Sequence, residues 1–199
     1  KELDAKGHMW RRNVELGMKD WVGPGYLSSH YSPYSQEARD IYYRQMKQRL
    51  VDLGIDAWWM DNTEPDVRSN SSPEEMAELT SPTQMGPGAL VQNAYSTLST
   101  KAMYDGLVRD QPNTRQFILS RSGFAGVQRH AAAVWSGDVG GTWDNFYKQI
   151  SAGVQTGFSG VPNWTHDIGG YTQEGRFQDD SVQGLQENRV EAGKRTAED

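Results

Sequence analysis

The stretch AWWMDNTEPD, residues 57–66, carries the chain from four apolar residues into three carboxylates within ten positions. An apolar run this short and this unbroken favours a strand buried in a sheet, which we place at residues 55–61. The carboxylates then lie in the loop after the strand, where they either face solvent or form part of a site. The other segments of the chain decide between these two interpretations.

Three helices are predicted from apolar residues that recur on one face at intervals of three or four positions. They span residues 35–53, 89–109 and 143–156. Ser35 and Thr142 are suitable N-caps for the first and the third, and Gly54 stands where the first should end. The apolar positions expected to face the core are Tyr42, Met46, Leu50 and Leu53; Val91, Tyr95, Leu98 and Ala102; and Phe146, Ile150 and Val154.

Three further strands are predicted from short apolar runs. They span residues 116–122, 131–138 and 160–167. Strands that alternate with helices indicate βα units around a parallel sheet. Residues 123–130 are too few for a crossover helix, so we expect a tight turn or a single helical turn there. Residues 67–88 form a long predicted loop, with one helical turn at residues 73–79.

The composition restricts the classes of function. The chain has 199 residues, enough for one domain with a sizeable core, and 11% of them are aromatic. Its formal net charge of -6, without a basic cluster, disfavours binding to nucleic acid. The absence of cysteine excludes disulfides, thiolate catalysis and cysteine-based zinc sites in this chain. No apolar run approaches the ~20 residues of a membrane span. No signal peptide is visible, so cytoplasmic, periplasmic and secreted locations all stay open.

Each of the four predicted strands ends in charged side chains. Asp61, Arg121 and Asp138 end the first three strands. His166 and Asp167 end the fourth. In parallel βα folds, ligands bind at the carboxyl ends of the strands, so these groups are expected to collect where chemistry takes place.

Tryptophans precede these charged groups, with Trp59 before Asp61 and Trp135 before Asp138. An indole face packs against a sugar ring, and sugar hydroxyls need charged, bidentate partners. Two aspartates at neighbouring strand ends also suit glycoside hydrolysis, in which one carboxyl group must be ionised and the other protonated. The rival chemistry, metal-assisted hydrolysis by histidines and aspartates, lacks support because no H-x-H or H-x-x-x-H spacing is present.

Three motifs resemble those of glycoside hydrolase family 31, and they occur in the family's order. WWMDNTEPD, residues 58–66, is similar to the family's nucleophile motif. FILSRSGFAGVQRHAAAVWSGD, residues 117–138, is similar to its acid/base segment, and FSGVPNWTHDIGGY, residues 158–171, to its next conserved strand. Weaker similarity at GPGYLSSHYSPY, residues 23–34, extends the resemblance to roughly residues 1–177.

The resemblance implies an α/β fold, a (β/α)8 TIM barrel, of which this chain covers about strands 4 to 7. A complete barrel has eight strands and typically ~250 residues. We therefore interpret residues 1–177 as the central part of a TIM-barrel catalytic domain. Residues 178–199 are expected to be a polar tail that is frayed or disordered.

By the same resemblance, Asp61 is the nucleophile and Asp138 the general acid/base of a retaining α-glycosidase. Glu64 and Asp66 are expected either to lie beside the nucleophile, with Glu64 positioning it, or to face solvent. The residues expected to line the sugar subsite are Trp59, Arg121, Trp135, Asp167 and His166, the last with a structural role as the open alternative. His130 is expected to be structural, and so is Trp58, because it points away from Trp59 along a strand.

The residues after the nucleophile bear on the substrate. DAWWMD followed by Asn62-Thr63 is more similar to the α-xylosidases that trim xyloglucan than to the α-glucosidases, which usually have Met-Asn there. The resemblance therefore implies removal of α-xylosyl residues from xyloglucan-type oligosaccharides, with no metal and no organic cofactor. An α-glucosidase or transglucosylase of the same family is the alternative, and an inactive carbohydrate-binding fragment is the alternative of another class. An oligosaccharide is the expected partner, and the sequence does not fix the oligomeric state.

Overall fold

A computed structural model of the chain describes residues 1–17, 29–65 and 71–171. The predictions for Asp66 and for the polar tail lie outside these described residues. The helices are α1 (Glu2–Ala5), α2 (Arg11–Leu16), α3 (Gln36–Arg49), α4 (Pro73–Leu79), α5 (Gly88–Val91), α6 (Tyr95–Asp110) and α7 (Trp143–Phe158). The strands are β1 (Trp58–Met60), β2 (Ile118–Ser120), β3 (Ala132–Trp135) and β4 (Trp164–Thr165). Among the described residues, no helix combines the length and the apolar character needed to cross a membrane.

The four strands form one parallel sheet in the order β1-β2-β3-β4. Met60 of β1 pairs with Ser120 of β2, and Trp135 of β3 pairs with Thr165 of β4. This arrangement confirms the predicted βα units and brings the four carboxyl ends to one edge of the sheet. Each strand is shorter than the apolar run that predicted it, because the ladder covers only two to four residues of each run.

The largest buried cluster lies between the sheet and the helices α3 and α6. It contains Tyr43 of α3, Met103 and Leu107 of α6, and Trp58 and Ile118 of the sheet. Met103, Leu107 and Ile118 are fully buried. Burial of apolar side chains of this size contributes about 1.5–3 kcal/mol each, so this cluster is the main source of stability on this side of the sheet.

Gly106 allows α3 and α6 to approach each other closely. A Cβ atom at this position would lie 2.3 Å from the ring of Tyr43, well inside van der Waals contact. The Tyr43 hydroxyl donates to Asp110 Oδ2 at 3.0 Å, and the Arg109 guanidinium lies over the Tyr43 ring. Packing therefore requires glycine here, although glycine lowers the helix propensity of α6.

Both predicted N-caps are confirmed. The Ser35 hydroxyl accepts the Ala38 N–H at 3.0 Å, and the Thr142 hydroxyl accepts the Asn145 N–H at 3.1 Å. Each cap satisfies one of the backbone donors that a helix leaves unpaired at its start.

The end of α3 differs from the prediction. The α-helix ends at Arg49, and a 3₁₀ turn at Val51–Leu53 leads into Gly54, whose φ is 90°. Leu53 is 77% exposed, so its predicted place on the core face is wrong. A 3₁₀ turn has three residues per turn, which rotates Leu53 away from the helical face. The other predicted positions of that face, Tyr42, Met46 and Leu50, pack against the core cluster.

The connections follow the predicted pattern with changes in detail. The second predicted helix divides into α5, a 3₁₀ turn at Gln92–Ala94, and α6. The seven-residue helix α4, capped by Ser72, confirms the helical segment expected in the long loop. A single 3₁₀ turn at Val127–His130 confirms the short connection between β2 and β3.

The apolar stripe of α7 is the main departure from the predicted core. Phe146, Ile150 and Val154 are 38%, 54% and 57% exposed, so their predicted burial is wrong for the described residues. α7 contacts β4, yet none of its residues is buried. Periodicity identifies an apolar helix face, but it does not show whether the chain supplies a surface to cover that face.

Candidate active site

The carboxyl ends of β1 and β2 place two of the predicted residues next to each other. Asp61 follows β1 directly, and Arg121 follows β2 directly. The backbone pairing extends one step past the strands, because the Arg121 N–H donates to the Met60 carbonyl at 3.1 Å. Asp138 lies on the loop that follows β3.

Arg121 contacts three carboxylates at this edge of the sheet. Its Nη1 lies 3.1 Å from Asp61 Oδ1, its Nε 3.0 Å from Glu64 Oε1, and its Nη2 3.6 Å from Asp138 Oδ2. The guanidinium is planar and rigid, so it holds the directions of these contacts as well as their lengths. We call Asp61, Glu64, Arg121 and Asp138 the Arg121 cluster. It unites the predicted nucleophile, its positioning residue, the predicted acid/base and a predicted sugar-binding residue.

Burial and the neighbouring negative charges shift the pKa of Arg121 in opposite directions. Burial alone would lower the pKa of Arg121, because a low-dielectric surrounding disfavours a charge. The negative charges of Glu64, Asp138 and Asp61 outweigh this effect and raise the pKa of Arg121 above its ordinary value. The cluster therefore contains one permanent positive charge among three carboxyl groups.

The two oxygens of Asp61 have different surroundings. Oδ1 accepts the Asn62 backbone N–H at 2.8 Å in addition to its contact with Arg121. Asn62 adopts the left-handed conformation, with φ 54°, which is uncommon outside glycine but tolerated by asparagine. Within the part of the chain that the structure describes, Oδ2 accepts no hydrogen bond. One oxygen is thus held by two contacts, whereas the other has none among the described residues.

Trp59 and Trp135 form the aromatic part of the site. Their ring centroids are 5.9 Å apart, with an interplanar angle of 56°. Trp59 is 71% exposed whereas Trp135 is 6% exposed, so Trp135 supports the indole of Trp59 and Trp59 presents the open face. Trp58 points to the opposite side of β1 and is buried, which confirms its predicted place in the core.

His166 and Asp167 line a cavity of about 890 Å³. Its wall also includes Val139, the residue that follows Asp138. The His166 ring lies between those of Phe146 and Trp164, with centroids 5.9 Å and 5.8 Å away. Its Nδ1 lies 3.2 Å from the Asp167 carbonyl oxygen, an acceptor, so Nδ1 is the ring nitrogen that carries the hydrogen in this contact. Both residues thus occupy the fourth strand end, as the sequence predicts.

The loops after β3 and β4 are joined backbone to backbone. The Tyr171 N–H donates to the Val139 carbonyl at 2.8 Å. A Cβ atom at Gly170 would lie 2.4 Å from the Cα of Gly141, and Gly170 has φ 83°. Only glycine satisfies both conditions. The loop that carries Asp138 is therefore positioned by the loop that follows β4.

Two groups next to Asp61 were not predicted. A cavity of about 220 Å³ lies against Asp61, and its walls include Tyr31 and Tyr42, whose stacked rings are 4.6 Å apart. In addition, the buried hydroxyls of Thr63 and Ser120 connect the loops after β1 and β2. The sequence contains only a weak signal for these hydroxyls, because small hydroxyl residues beside charged ones are equally typical of an ordinary turn.

His130 has the structural role that the sequence predicts. It is 6% exposed, and its Nδ1 lies 3.4 Å from the Thr100 hydroxyl. Burial, with a smaller contribution from the positive charge of Lys101, lowers the pKa of His130. Within residues 1–17, 29–65 and 71–171, no group of three or more histidine, aspartate or glutamate side chains is arranged to hold a metal ion.

Parallel βα units with a carboxylate cluster at the carboxyl edge of the sheet define a protein of the βα-barrel class with an acidic site. The chain belongs to glycosyl hydrolase family 31, because the model of that family's TIM-barrel domain matches residues 1–188. The four-stranded sheet is accordingly a portion of a (β/α)8 barrel.

Similar proteins carry related names. An α-xylosidase of Saccharolobus solfataricus is 42% identical over 144 residues, which cover 71% of this chain and 19% of that protein. A family 31 glucosidase of Pseudescherichia vulneris, itself uncharacterised, is 33% identical over 180 residues, which cover 89% of this chain and 32% of that protein. The chain thus spans between a fifth and a third of the length of these relatives.

A solved structure agrees with these sequence matches. The family 31 α-xylosidase from Xanthomonas citri superposes with a TM-score of 0.83 and is 48% identical. That match covers 94% of this chain and 20% of the Xanthomonas protein. A family 31 α-xylosidase from a soil metagenome, complexed with xylose, has a TM-score of 0.73 at 30% identity, covering 85% of this chain and 24% of that one.

Proposed function

We propose that this chain carries the catalytic residues of a retaining glycoside hydrolase that removes α-xylosyl residues from xyloglucan-type oligosaccharides. The observation that supports this most directly is the Arg121 cluster, in which Asp61 and Asp138 contact one guanidinium from neighbouring strand ends. Membership in glycosyl hydrolase family 31 supports the same class of reaction.

In the first step, Asp61 Oδ2 attacks the anomeric carbon while the bond from that carbon to the leaving oxygen breaks. Asp138 donates a proton to the leaving oxygen. The contacts of Asp61 Oδ1 with Arg121 and Asn62 support this choice of oxygen, because they leave Oδ2 to form the ester. The sugar is then bound covalently to Asp61 with its anomeric configuration inverted.

In the second step, Asp138 acts as a carboxylate and accepts a proton from the water that attacks the anomeric carbon. The bond to Asp61 breaks, and this second inversion restores the original configuration. Because the ester of Asp61 is uncharged, Arg121 faces one negative charge fewer during this step. Asp61 then no longer repels the Asp138 carboxylate, which favours the protonated form of Asp138 in the first step and its ionised form in the second.

The substrate class rests on the exposed indole and on the relatives. Trp59 offers an open aromatic face against which a sugar ring packs. Relatives named α-xylosidase in Saccharolobus and Xanthomonas favour xylose over glucose. An α-glucosidase or transglucosylase is the second candidate, and the relative named a family 31 glucosidase supports it.

Carbohydrate binding without turnover is the candidate of another class. Its support is the open sheet: within the described residues, β1 and β4 are edges, whereas a TIM barrel closes eight strands into a ring. In such a protein Trp59 and Arg121 would still contact a sugar, but Asp61→Ala would leave binding unchanged.

Covalent trapping in a grafted enzyme tests the proposal. In the graft, this chain replaces the aligned segment of the Xanthomonas citri α-xylosidase, which supplies the other barrel strands. The graft and the chain alone are incubated with 5-fluoro-α-xylosyl fluoride, which forms a glycosyl-enzyme that water releases only slowly. Mass spectrometry then maps the modified peptide. The matched control is the graft with Asp61→Asn, which keeps the shape of the side chain but cannot form the ester.

The outcomes separate the candidates. A single adduct on the peptide that contains Asp61, absent from the control, supports the retaining mechanism and the assignment of the nucleophile. An adduct on another carboxylate, or turnover that survives Asp61→Asn, contradicts the assignment. Faster labelling by the corresponding glucosyl fluoride favours the α-glucosidase. Xylose binding without any adduct, in a graft whose circular dichroism matches that of the parent enzyme, favours the binding role.

A further inference from the structure

The loops after β1 and β2 share a buried network of hydrogen bonds. Thr63 and Ser120 are 4% and 0% exposed, and their hydroxyl oxygens are 2.9 Å apart. The Ser120 hydroxyl donates to the Ser122 carbonyl at 2.8 Å. The Ser122 N–H donates to Thr63 Oγ1 at 3.0 Å, and the Ser122 hydroxyl lies 3.4 Å from the same oxygen.

The direction of each bond follows from the number of hydrogens available. A hydroxyl has one hydrogen and two lone pairs. Since Ser120 uses its hydrogen on the Ser122 carbonyl, the Thr63 hydroxyl must be the donor in its bond to Ser120. Thr63 Oγ1 then accepts from the N–H and the hydroxyl of Ser122. The hydrogen and both lone pairs of Thr63 are therefore all used.

The network connects the two segments that form the Arg121 cluster. Thr63 stands between Asp61 and Glu64, and Ser120 and Ser122 stand on either side of Arg121. A rigid link between these segments fixes how far the carboxylates lie from the cation. The ion pairs themselves are partly exposed, with Asp61 47% and Glu64 34% exposed, and exposed pairs hold a geometry only weakly.

We infer that Thr63 is a positioning residue for Asp61. Its hydroxyl sets the distance between Asp61 Oδ1 and Arg121, and through that contact it sets the direction in which Oδ2 points. Thr63 does not touch the substrate in this scheme. The kinetic part of the inference rests on the proposed function, in which Asp61 is the nucleophile, whereas the geometric part does not.

Two substitutions separate positioning from simple core packing. Thr63→Val keeps the shape of the side chain but leaves the Ser122 N–H and the Ser120 hydroxyl without their partner. Thr63→Ser keeps the hydroxyl. The matched control is Thr100→Val: Thr100 is fully buried, and its hydroxyl contacts helix carbonyls of α6 and His130 but not the loops of the cluster.

The kinetic test uses the graft defined above. We expect Thr63→Val to lower kcat by about 10²-fold, the loss that a shift of roughly 1 Å in a reacting group produces. KM should change little, because the sugar contacts remain. Thr63→Ser should restore most of kcat, and Thr100→Val should match the unmodified graft. Ser120→Ala removes the two bonds of the Ser120 hydroxyl but leaves those between Thr63 and Ser122, so it should give a smaller loss than Thr63→Val.

A crystallographic test does not depend on turnover. In crystal structures of the graft, the distance from Asp61 Oδ1 to Arg121 Nη1 should stay near 3.1 Å in the unmodified protein and in Thr63→Ser. In Thr63→Val the contact should be lost. If Thr63→Val does not fold, Ser120→Ala takes its place, with partial lengthening of the contact as the expected result.

These readouts distinguish the failure of the inference from the failure of the proposed function. If the unmodified graft has the circular dichroism spectrum of the parent enzyme but forms no adduct and shows no turnover, the proposed function is wrong, and the distance alone decides the role of Thr63. If Thr63→Val keeps kcat or keeps the contact, the inference is overturned. An equal loss of kcat in Thr100→Val also overturns it, because general loosening of the core would then explain the effect.

Discussion

The helices α6 and α7 have equal length and opposite surroundings. Each has 16 residues and carries an apolar stripe. Met103 and Leu107 of α6 are completely buried, whereas Ile150 and Val154 of α7 are 54% and 57% exposed. The comparison shows that an amphipathic pattern states what a helix can bury, while its neighbours decide whether it does so.

The candidate site combines residues from the well-packed part of the sheet, near α6, and from its exposed part, near α7. Asp61, Glu64 and Arg121 come from β1 and β2, on the side packed by α3 and α6, and Thr63 links their two loops. Asp138 comes from the loop between β3 and α7. Its contact with Arg121 is 3.6 Å, longer than the 3.1 Å and 3.0 Å contacts of Asp61 and Glu64. The Arg121 cluster therefore joins side chains from both parts of the sheet.

The largest expected effect concerns Asp138, the proposed acid/base. In the graft, Asp138→Ala should lower the hydrolysis of a xylosyl oligosaccharide by about 10²–10⁴-fold, the usual contribution of general acid–base catalysis. Formation of the glycosyl-enzyme from a fluoride should be affected much less, since fluoride leaves without a proton. Steady-state rates and trapping rates measure the two effects. Asp105→Ala, in an exposed ion pair with Lys101 on α6, is the control and should change neither rate. Equal losses with both substrates would remove Asp138 from the role of acid.

The second prediction tests the packing difference directly. Met103→Ala should lower the free energy of unfolding by about 2–5 kcal/mol, because it leaves a cavity in a closed core. Ile150→Ala should change it by no more than about 0.5 kcal/mol, because the side chain is already exposed. Urea unfolding of the chain, followed by circular dichroism, compares the two variants. A large loss in Ile150→Ala would show that the α7 stripe is covered in solution.

The smallest expected effect depends on pH and on His130. Burial lowers the pKa of His130 below its ordinary value of 6.5, with contributions from Lys101, Arg129 and, in the opposite direction, Asp105. Below about pH 6.5 the unfolded chain therefore binds a proton that the folded chain does not bind. The free energy of unfolding should be highest above this pH and should fall toward acid by up to about 1.4 kcal/mol per pH unit.

The measurement for His130 is a series of urea unfolding curves between pH 5 and pH 8. His130→Gln should flatten the dependence in the range just below pH 6.5, since it removes the group that titrates there. Losses at more acid pH should persist, because carboxylates such as Asp110, whose pKa is lowered by Arg109, lose their stabilising contacts in that range. An unchanged slope in His130→Gln would contradict the assignment.

Local patterns predicted the sheet and several of the strand-end residues that the structure brings together. Asp61 and Arg121 could be assigned to one edge from sequence, because parallel strands align their carboxyl ends. The sequence could not show that Trp59 is exposed and Trp135 buried, since both are tryptophans before a charged strand end. The helices α1 and α2 were missed because four and six residues are too few for a period to repeat.

The role of Thr63 lay beyond sequence for a different reason. Its partners, Ser120 and Ser122, are almost sixty positions away, and a hydroxyl beside a carboxylate has many ordinary uses. Only the fold shows that the hydrogens and lone pairs of these residues match. The exposed stripe of α7 is the converse case, because there the pattern was clear and the partner was absent from the described residues.

The contact between Gly141 and Gly170 has a consequence for protein engineering. Since the two backbones are in contact there, we expect the loops after β3 and β4 to move together. Asp138 lies on the first of these loops and His166 on the second. In a mutant library that varies only one of the two loops, many variants would have loops that no longer fit against each other. Libraries that vary both loops together, with Gly141 and Gly170 kept, would sample new shapes of the cavity between them while the two loops stay in contact.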